Sequence, residues 1–465
     1  MRIEKDTMGE MELPDDSYYG AQTQRAYQNF QVSNHKIPRP MIAAIAMIKR
    51  SAAIVNYNLG FLDSKIRDAI VRSSDEVIQG KFDNQFIVDI FQTGSGTSSN
   101  MNANEVIANR ACEILNGKRG DKNLVHPNDH VNYGQSSNDV IPTSIHVAAC
   151  IEITKRLLPE LEELKRVLSK KTKEFENIIK IGRTHLQDAT PITLGQEFSG
   201  YTQMIDNSIE RIKSNLPFLY QLAQGGTAVG TGINTHKDFG RLIAEELSSI
   251  TNLNFKEANN HFEAQATQDS VVQLSSSLKT LSVSLYKIAN DIRWLGSGPR
   301  SGLGELNLPA VQPGSSIMPG KVNPVICESL IQVTSQVIGH DSAITLGGLG
   351  GVFELNLMLP LIGSNILESI NLLSNGMNMF RTKLLDDLQA NEEKCIGYIE
   401  DSLAMCTTLA PIIGYDKAAK IAKKAYKTNK TVRQISLEEK VLSEDELQKI
   451  LDPYSMISPN DKNKK

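Results

Sequence analysis

The chain predicts a mainly α fold built around a central long-helix bundle, and two observations carry that expectation. Apolar residues recur at alternating spacings of four and three over four long stretches, and period-two alternation is scarce. The first stretch is Leu157, Leu161, Leu164 and Leu168; the second is Ile205, Ile209, Ile212, Leu216 and Leu219. The third runs Leu274, Leu278, Leu281, Leu285, Ile288, Ile292 and Leu295, and the fourth Ile366, Ile370, Leu373, Met377, Phe380 and Leu384. Heptad spacing puts one narrow apolar stripe on each helix, the pattern of long helices packed at small crossing angles. Stripes this long also predict packing against further copies of the chain, hence an oligomer. At 465 residues the chain is long for a single core. We place a mixed N-terminal domain at 1–138, the long-helix domain at 139–394 and a small C-terminal helical domain at 395–465. No short tandem repeat marks a solenoid.

Composition excludes several function classes. The apolar fraction is 40%, enough for a sizeable interior, and the formal net charge of −4 comes from interspersed signs. That balance argues against nucleic acid or an anionic membrane as the main partner, while local charge can still hold a small anion. Cys112, Cys150, Cys327, Cys395 and Cys406 are scattered without a C-x-x-C pair, as expected of reduced thiols in a cytoplasm. Cys327 lies near interesting chemistry but reads as packing rather than as a nucleophile. Met1 to Glu10 is charged and lacks an apolar core, so no secretory signal is expected. No run approaches the roughly 20 apolar residues of a membrane span. Ser458 to Lys465 is polar and lysine-rich and is expected to fray. A soluble cytoplasmic protein is the expectation.

Four polar segments interrupt the amphipathic pattern. In Thr93–Glu105, glycines and hydroxyls (Ser95, Gly96 and Thr97 among them) lead into a helix predicted over Val106–Leu115. Free N–H groups at such a start can receive a carboxylate or phosphate; plain N-capping is the alternative. The third glycine of a G-x-G-x-x-G fingerprint is missing. In Val125–Asn132, His126, Asp129 and His130 invite a metal reading, but Pro127 argues against a regular helix through the pair. With no H-E-x-x-H pattern and no cysteine nearby, no metal is expected. Ser136, Ser137 and Asn138 follow as neutral donors suited to orienting a carboxylate, although Asp139 with Pro142 can instead start a helix.

The third segment, Gly182–Pro191, sets His185 among Arg183, Thr184 and Asp188. A proton-transfer group and a structural histidine both fit that setting. The fourth, Gly314–Pro324, puts two hydroxyls (Ser315, Ser316), a cation (Lys321) and a carboxamide (Asn323) on one loop restricted by Pro313, Pro319 and Pro324; Glu328 follows. Such a loop can hold a serine base beside the positive charge its anion requires, and an ordinary surface loop is the alternative. It is not a nucleotide P-loop: five residues separate Gly314 from Gly320, and Val322 follows Lys321.

Along essentially its whole length the chain resembles the class II fumarases of the fumarase/aspartase superfamily. The resemblance rests on TGSGTSSNMNANE (Thr93–Glu105), VHPNDHVN (Val125–Asn132), QSSND (Gln135–Asp139), GRTHLQDATP (Gly182–Pro191), GSSIMPGKVNP (Gly314–Pro324), Phe353–Asn356 and IGYDKAAKIAKKA (Ile413–Ala425). His185 and His126 point to fumarase, since aspartases tend to carry glutamine and asparagine there. The family implies a three-domain fold, a homotetramer around a twenty-helix core and sites shared between three chains. The implied activity is reversible hydration of fumarate to (S)-malate, a tricarboxylic acid cycle step, with no metal or organic cofactor. By the same resemblance Ser315 is the base, with Lys321 and Asn323 stabilising the aci-carboxylate and His185, polarised by Glu328, handling water. Ser95, Gly96, Thr97, Ser136, Ser137, Asn138, Thr184, Ser316, Lys321, Val322 and Asn323 would grip the dicarboxylate. His126, Pro127, Asn128 and Asp129 resemble a second, noncatalytic dicarboxylate site. The chain departs from many relatives at Tyr133-Gly134, where a lysine and a small residue are usual, and at His130, often an aspartate. An aspartate ammonia-lyase and a noncatalytic scaffold protein are the competing readings.

Overall fold

The structure is a computed structural model that describes residues 1–459, so most of the segment expected to fray lies outside the described residues. The fold is mainly α, as the stripes predict, and among the described residues every sheet is a two-stranded pair. All four stripes are buried along their length except at Leu216, which is half-buried. The second stripe is not one helix. Its helix, Leu194–Lys213, ends before Pro217, and Leu216–Leu219 forms a separate turn, because a proline inside a helix removes a hydrogen bond and clashes with the preceding turn. The first stripe begins in a π-helical turn, Ile153–Leu157, that joins Ser137–Glu152 to Leu158–Glu174. The third lies on Asp269–Leu295 and the fourth on Leu359–Phe380 with the π turn Arg381–Leu385.

Contacts divide the chain into two compact units. One comprises Met1–Pro159, Ser208–Ser282 and Val333–Asn375. Its centre is the Arg39–Asn58 helix, which no stripe announced because even its partly exposed face carries Ala43, Met47 and Ile54; Met41, Ile42, Ala44, Ile45, Ala46, Ile48, Ala52, Ala53 and Val55 are all buried. Pro38 caps its start and Pro40 sits in the first turn, where a missing N–H costs nothing. The Ser64–Ile78 helix packs against it, and Asp63 caps that helix by accepting from Lys65 N–H at 2.8 Å.

The other unit comprises Glu160–Asn207, Val283–Gln332 and Gly376 to the end of the described chain. It holds the hairpin Ile179–Thr184 with Gln187–Thr193. Its C-terminal helices Tyr415–Thr428, Val432–Glu438 and Glu444–Ile450 close over Met405, Leu409, Ile421, Ile435 and Leu447. Thr431 with Gln434 and Ser443 with Glu446 form capping boxes, so the two shortest of these helices start with their free N–H groups satisfied.

Candidate active site

In the first unit, the Thr93–Glu105 segment turns into a helix nine residues earlier than the sequence predicts: the helix is Thr97–Ile114. Ser and Asn are poor helix formers, and tertiary bonds override that preference here. Asn102 donates to Gln85 C=O at 2.9 Å and accepts from Ile87 N–H at 3.2 Å, and Asn100 donates to Ser137 Oγ at 3.0 Å. Gly96 makes the entry possible with φ +73°. Gly94 packs so closely on Leu357 that a Cβ there would lie 1.9 Å from its carbonyl oxygen. The Ser95 and Thr97 hydroxyls face each other at 2.7 Å beside the free N–H groups of the helix start.

Ser136 is the N-cap of Ser137–Glu152. Its hydroxyl accepts from Asn138 N–H, and Asp139 Oδ1 accepts from Ser136 N–H at 2.9 Å. Both readings of this segment therefore coexist, because the capping hydroxyl keeps its own O–H to give. Asp139 is fully buried and reaches further with its second oxygen, accepting from Gly225 N–H at 3.1 Å and Thr227 N–H at 3.0 Å. Asn138 Nδ2 donates to Ala228 C=O at 2.8 Å. The Gly225–Gly232 loop thus joins Ser136–Asp139. Sequence reasoning missed it, although four glycines in eight residues (Gly225, Gly226, Gly230, Gly232) signalled a special backbone.

A cavity of ≈ 850 Å³ opens beside these groups, lined by Ser136, Gln135, Asn132, Asn128, Asp129 and Thr227 among others. Candidates for the first and second dicarboxylate sites therefore share one cavity. Pro127–Val131 is a π-helical turn, and His126 Nδ1 caps it by accepting from Asn128 and Asp129 N–H, both at 3.1 Å. His130 Nδ1 accepts from His126 N–H at 2.9 Å. Both Nδ1 atoms are occupied as acceptors, which fixes the tautomers as Nε2–H and leaves neither Nδ1 lone pair for a metal. Tyr133 stacks on Phe61 with ring centroids 5.6 Å apart.

In the second unit, His185 and Leu186 are the two turn residues of the Ile179–Thr193 hairpin, with φ +57° and +61°. A two-residue hairpin needs left-handed backbone at both positions, normally filled by Asn-Gly. Holding side chains there costs about 1–3 kcal/mol per residue, and such strain clusters at functional positions. It presents His185 exposed at the tip, with Thr184 at its base. Arg183 anchors the hairpin through a two-pronged ion pair with Glu305, at 2.8 and 3.0 Å.

The Gly314–Pro324 loop is closed on itself: Gly314 N–H donates to Lys321 C=O at 2.8 Å and Asn323 Nδ2 to Gly314 C=O at 2.6 Å. Inside it, Ser315 Oγ accepts from Met318 N–H at 2.9 Å and Ile317 N–H at 3.3 Å. Two main-chain donors on one hydroxyl oxygen favour its anionic form. Ser316 is exposed. Lys321, Val322, Asn323 and Glu328 line a cavity of ≈ 540 Å³ with Arg293 and Trp294, neither of which the sequence reading singled out. Cys327 is buried, and that burial pushes its thiol up to about 12, away from nucleophilic use. His185 and Glu328 share no hydrogen bond within one chain among the described residues.

A protein-family model described as lyase matches residues 9–339, and one described as fumarase C C-terminus matches 405–458. The mitochondrial fumarate hydratase of Rhizopus oryzae is 52% identical over 462 residues, covering 99% of this chain and 93% of that protein. The class II fumarate hydratase of Methylorubrum extorquens is 50% identical over 459 residues, covering 99% of this chain and 97% of that protein. The crystal structure of recombinant class II fumarase from Schistosoma mansoni matches with a TM-score of 0.96 at 43% identity, covering 99% of each chain. With half of its residues shared across nearly the full length of such relatives, this chain belongs to the class II fumarate hydratase family.

Proposed function

We propose that this protein is a fumarate hydratase, a hydro-lyase that interconverts fumarate and (S)-malate as a step of the tricarboxylic acid cycle. The observation that carries the residue-level reading is the Ser315 hydroxyl oxygen under two N–H groups, on a loop that also bears Lys321 and Asn323. In the dehydration direction Ser315, as its alkoxide, takes the C3 proton of malate. The C–H electron pair moves into the neighbouring carboxylate and forms an aci-carboxylate dianion, for which Lys321 and Asn323 are the donors. The pair then returns to make the C2–C3 double bond as the C2–O bond breaks. The departing hydroxide takes a proton from the His185 side and leaves as water. Each pKa unit by which the site lowers the serine requires about 1.4 kcal/mol of differential stabilisation, and one well-placed donor to the growing charge contributes roughly 3 kcal/mol.

Ser95, Gly96, Thr97, Ser136, Ser137, Asn138, Thr184, Ser316, Lys321, Val322 and Asn323 hold the two carboxylates in this reading, and His126 to Asp129 hold a second dicarboxylate. A homotetramer with sites completed by three chains belongs to the same proposal. It supplies the Glu328 that polarises His185 from another chain. The division at 1–138, 139–394 and 395–465 and a cytoplasmic setting are also parts of it. No described helix is long and apolar enough to cross a membrane.

The test is fumarate consumption by purified protein in ammonia-free buffer with chiral detection of malate. (S)-Malate is the expected product, whereas turnover only with ammonium would make the protein an aspartate ammonia-lyase, and an intact oligomer inert under both conditions would make it a scaffold. His185→Asn is expected to lower kcat by about 10²–10⁴-fold while succinate still binds. Selective loss of succinate binding, measured by calorimetry, would contradict the role given to His185.

A further inference from the structure

Lys49 lies in the middle of the Arg39–Asn58 helix, between Ile48 and the ion-paired Arg50, and is 0% exposed. Among the described residues no carboxylate comes within ion-pair distance of it. An unpaired buried ammonium is expensive, and burial lowers this one to about 7, Asp139 being the acid that acts against that shift from a distance. The amine is kept because it is the donor to two side-chain amides, a role no apolar side chain of its size can take.

Its bonds lead to the cavity. Nζ donates to Asn132 Oδ1 at 2.7 Å and to Gln135 Oε1 at 3.0 Å. With their oxygens fixed, the two amides turn their N–H groups onto the backbone of Val131 to Gln135. Asn132 Nδ2 donates to Gln135 C=O at 3.1 Å, and Gln135 Nε2 donates to Val131 C=O at 3.1 Å and Tyr133 C=O at 3.3 Å. That turn ends at Ser136. Asn100 extends the network by donating to Asn132 Oδ1 at 3.3 Å and Ser137 Oγ at 3.0 Å, which ties in the helix that starts at Thr97. Three segments, Thr97–Asn100, Val131–Gln135 and Ser136–Ser137, are therefore referenced to one amine. The cavity wall carries one acid, Asp129, and no cation among the described residues.

Resting on the fumarate hydratase reading, we infer that Lys49 is a positioning residue for the dicarboxylate grip. It sets Ser136 through Asn132 and Gln135, and Ser137 through Asn132 and Asn100. The hydroxyls touch the substrate; Lys49 does not.

The experiment compares the full-length parent with Lys49→Met, Lys49→Gln and Asn132→Ala, reading kcat and KM for fumarate, succinate affinity by calorimetry, and the urea unfolding midpoint. In Lys49→Met, KM and the succinate Kd are expected to rise at least about tenfold, a factor worth ~1.4 kcal/mol. The expected fall in kcat is smaller, and the unfolding midpoint falls by no more than the unpaired Gln135 oxygen requires. Lys49→Gln, whose amide can still donate to Asn132, recovers part of the affinity. Asn132→Ala reproduces the loss with Lys49 in place, so it carries the test if Lys49→Met does not fold. Unchanged KM and Kd in a folded Lys49→Met, or in Asn132→Ala, overturns the inference. So does a loss of affinity that appears only at temperatures where the variant is partly unfolded. A parent that binds succinate but does not hydrate fumarate would sink the functional reading alone, because the succinate arm still judges Lys49. A parent that binds no succinate removes the grip and Lys49's role with it.

Discussion

Ser315→Ala leaves a folded protein that still binds dicarboxylates and turns over about 10²–10⁴-fold more slowly, the usual contribution of a positioned base. The expectation follows from what the hydroxyl does. Its oxygen accepts from Ile317 and Met318 N–H, while the loop itself is closed by other groups, Gly314 N–H on Lys321 C=O and Asn323 Nδ2 on Gly314 C=O. Removing one oxygen from a half-buried position therefore leaves the closing bonds intact, and a change within about 0.5 kcal/mol in stability is expected. The loss should fall on kcat and on kcat/KM alike, because the proton is taken and the aci-carboxylate charge grows only on the way to the transition state. Ser316→Ala is the comparison. Its exposed hydroxyl is assigned to the substrate carboxylate, so its loss should raise KM more than it lowers kcat. Steady-state fumarate kinetics with succinate calorimetry separate the two. A Ser315→Ala protein within about tenfold of the parent kcat falls short of that base contribution and would return Ser315 to the status of a loop residue.

The parts of this molecule legible in its sequence are those whose signal is local. A heptad stripe needs only its own helix to be read, and the stripe residues from Leu274 to Leu295 are buried along one continuous helix. The helix start suggested by Asp139 with Pro142 is likewise local, since Asp139 accepts from Ser136 N–H three residues back at the start of the Ser137–Glu152 helix. What escaped the reading depends on partners far along the chain. Lys49 and Asn132 are 83 positions apart and Arg183 and Glu305 are 122 apart, and nothing in either neighbourhood names the other. The Arg39–Asn58 helix escaped for a different reason: its partly exposed face carries Ala43, Met47 and Ile54, so there is little polar contrast against which a stripe could stand out. The His185–Leu186 turn lacks the Asn-Gly that announces a two-residue hairpin, so the strand pair around it read as a plain polar segment. Local rules fail here at the residues proposed for chemistry, as expected where a site imposes its own geometry.

The buried ion cluster behind that hairpin carries the largest stability effect expected for a single substitution. Glu305 is 0% exposed and meets Arg183 Nη2 at 2.8 Å and Lys180 Nζ at 3.3 Å; Lys180, 1% exposed, also meets Glu197 at 3.1 Å. Two cations and two carboxylates balance in a space with almost no water. Glu305→Gln removes one negative charge at nearly constant volume and turns an amide N–H toward a cation, leaving Arg183 and Lys180 with only Glu197 between them. Breaking a buried pair from one side costs about 3–5 kcal/mol, because the remaining charge stays buried without its partner. Lys180→Met should cost less: Glu305 keeps its two-pronged Arg183 contact, and Glu197, 22% exposed, can turn to water. The order of urea midpoints at fixed protein concentration checks this, with the parent highest, Lys180→Met between and Glu305→Gln lowest. Because Arg183 anchors the hairpin that carries His185, Glu305→Gln should also lower kcat at a temperature where the variant is still folded. A Glu305→Gln protein as stable as Lys180→Met would show that the charge balance is not what holds the cluster. One that unfolds early but keeps full kcat while folded would separate the anchor from the histidine it is argued to aim.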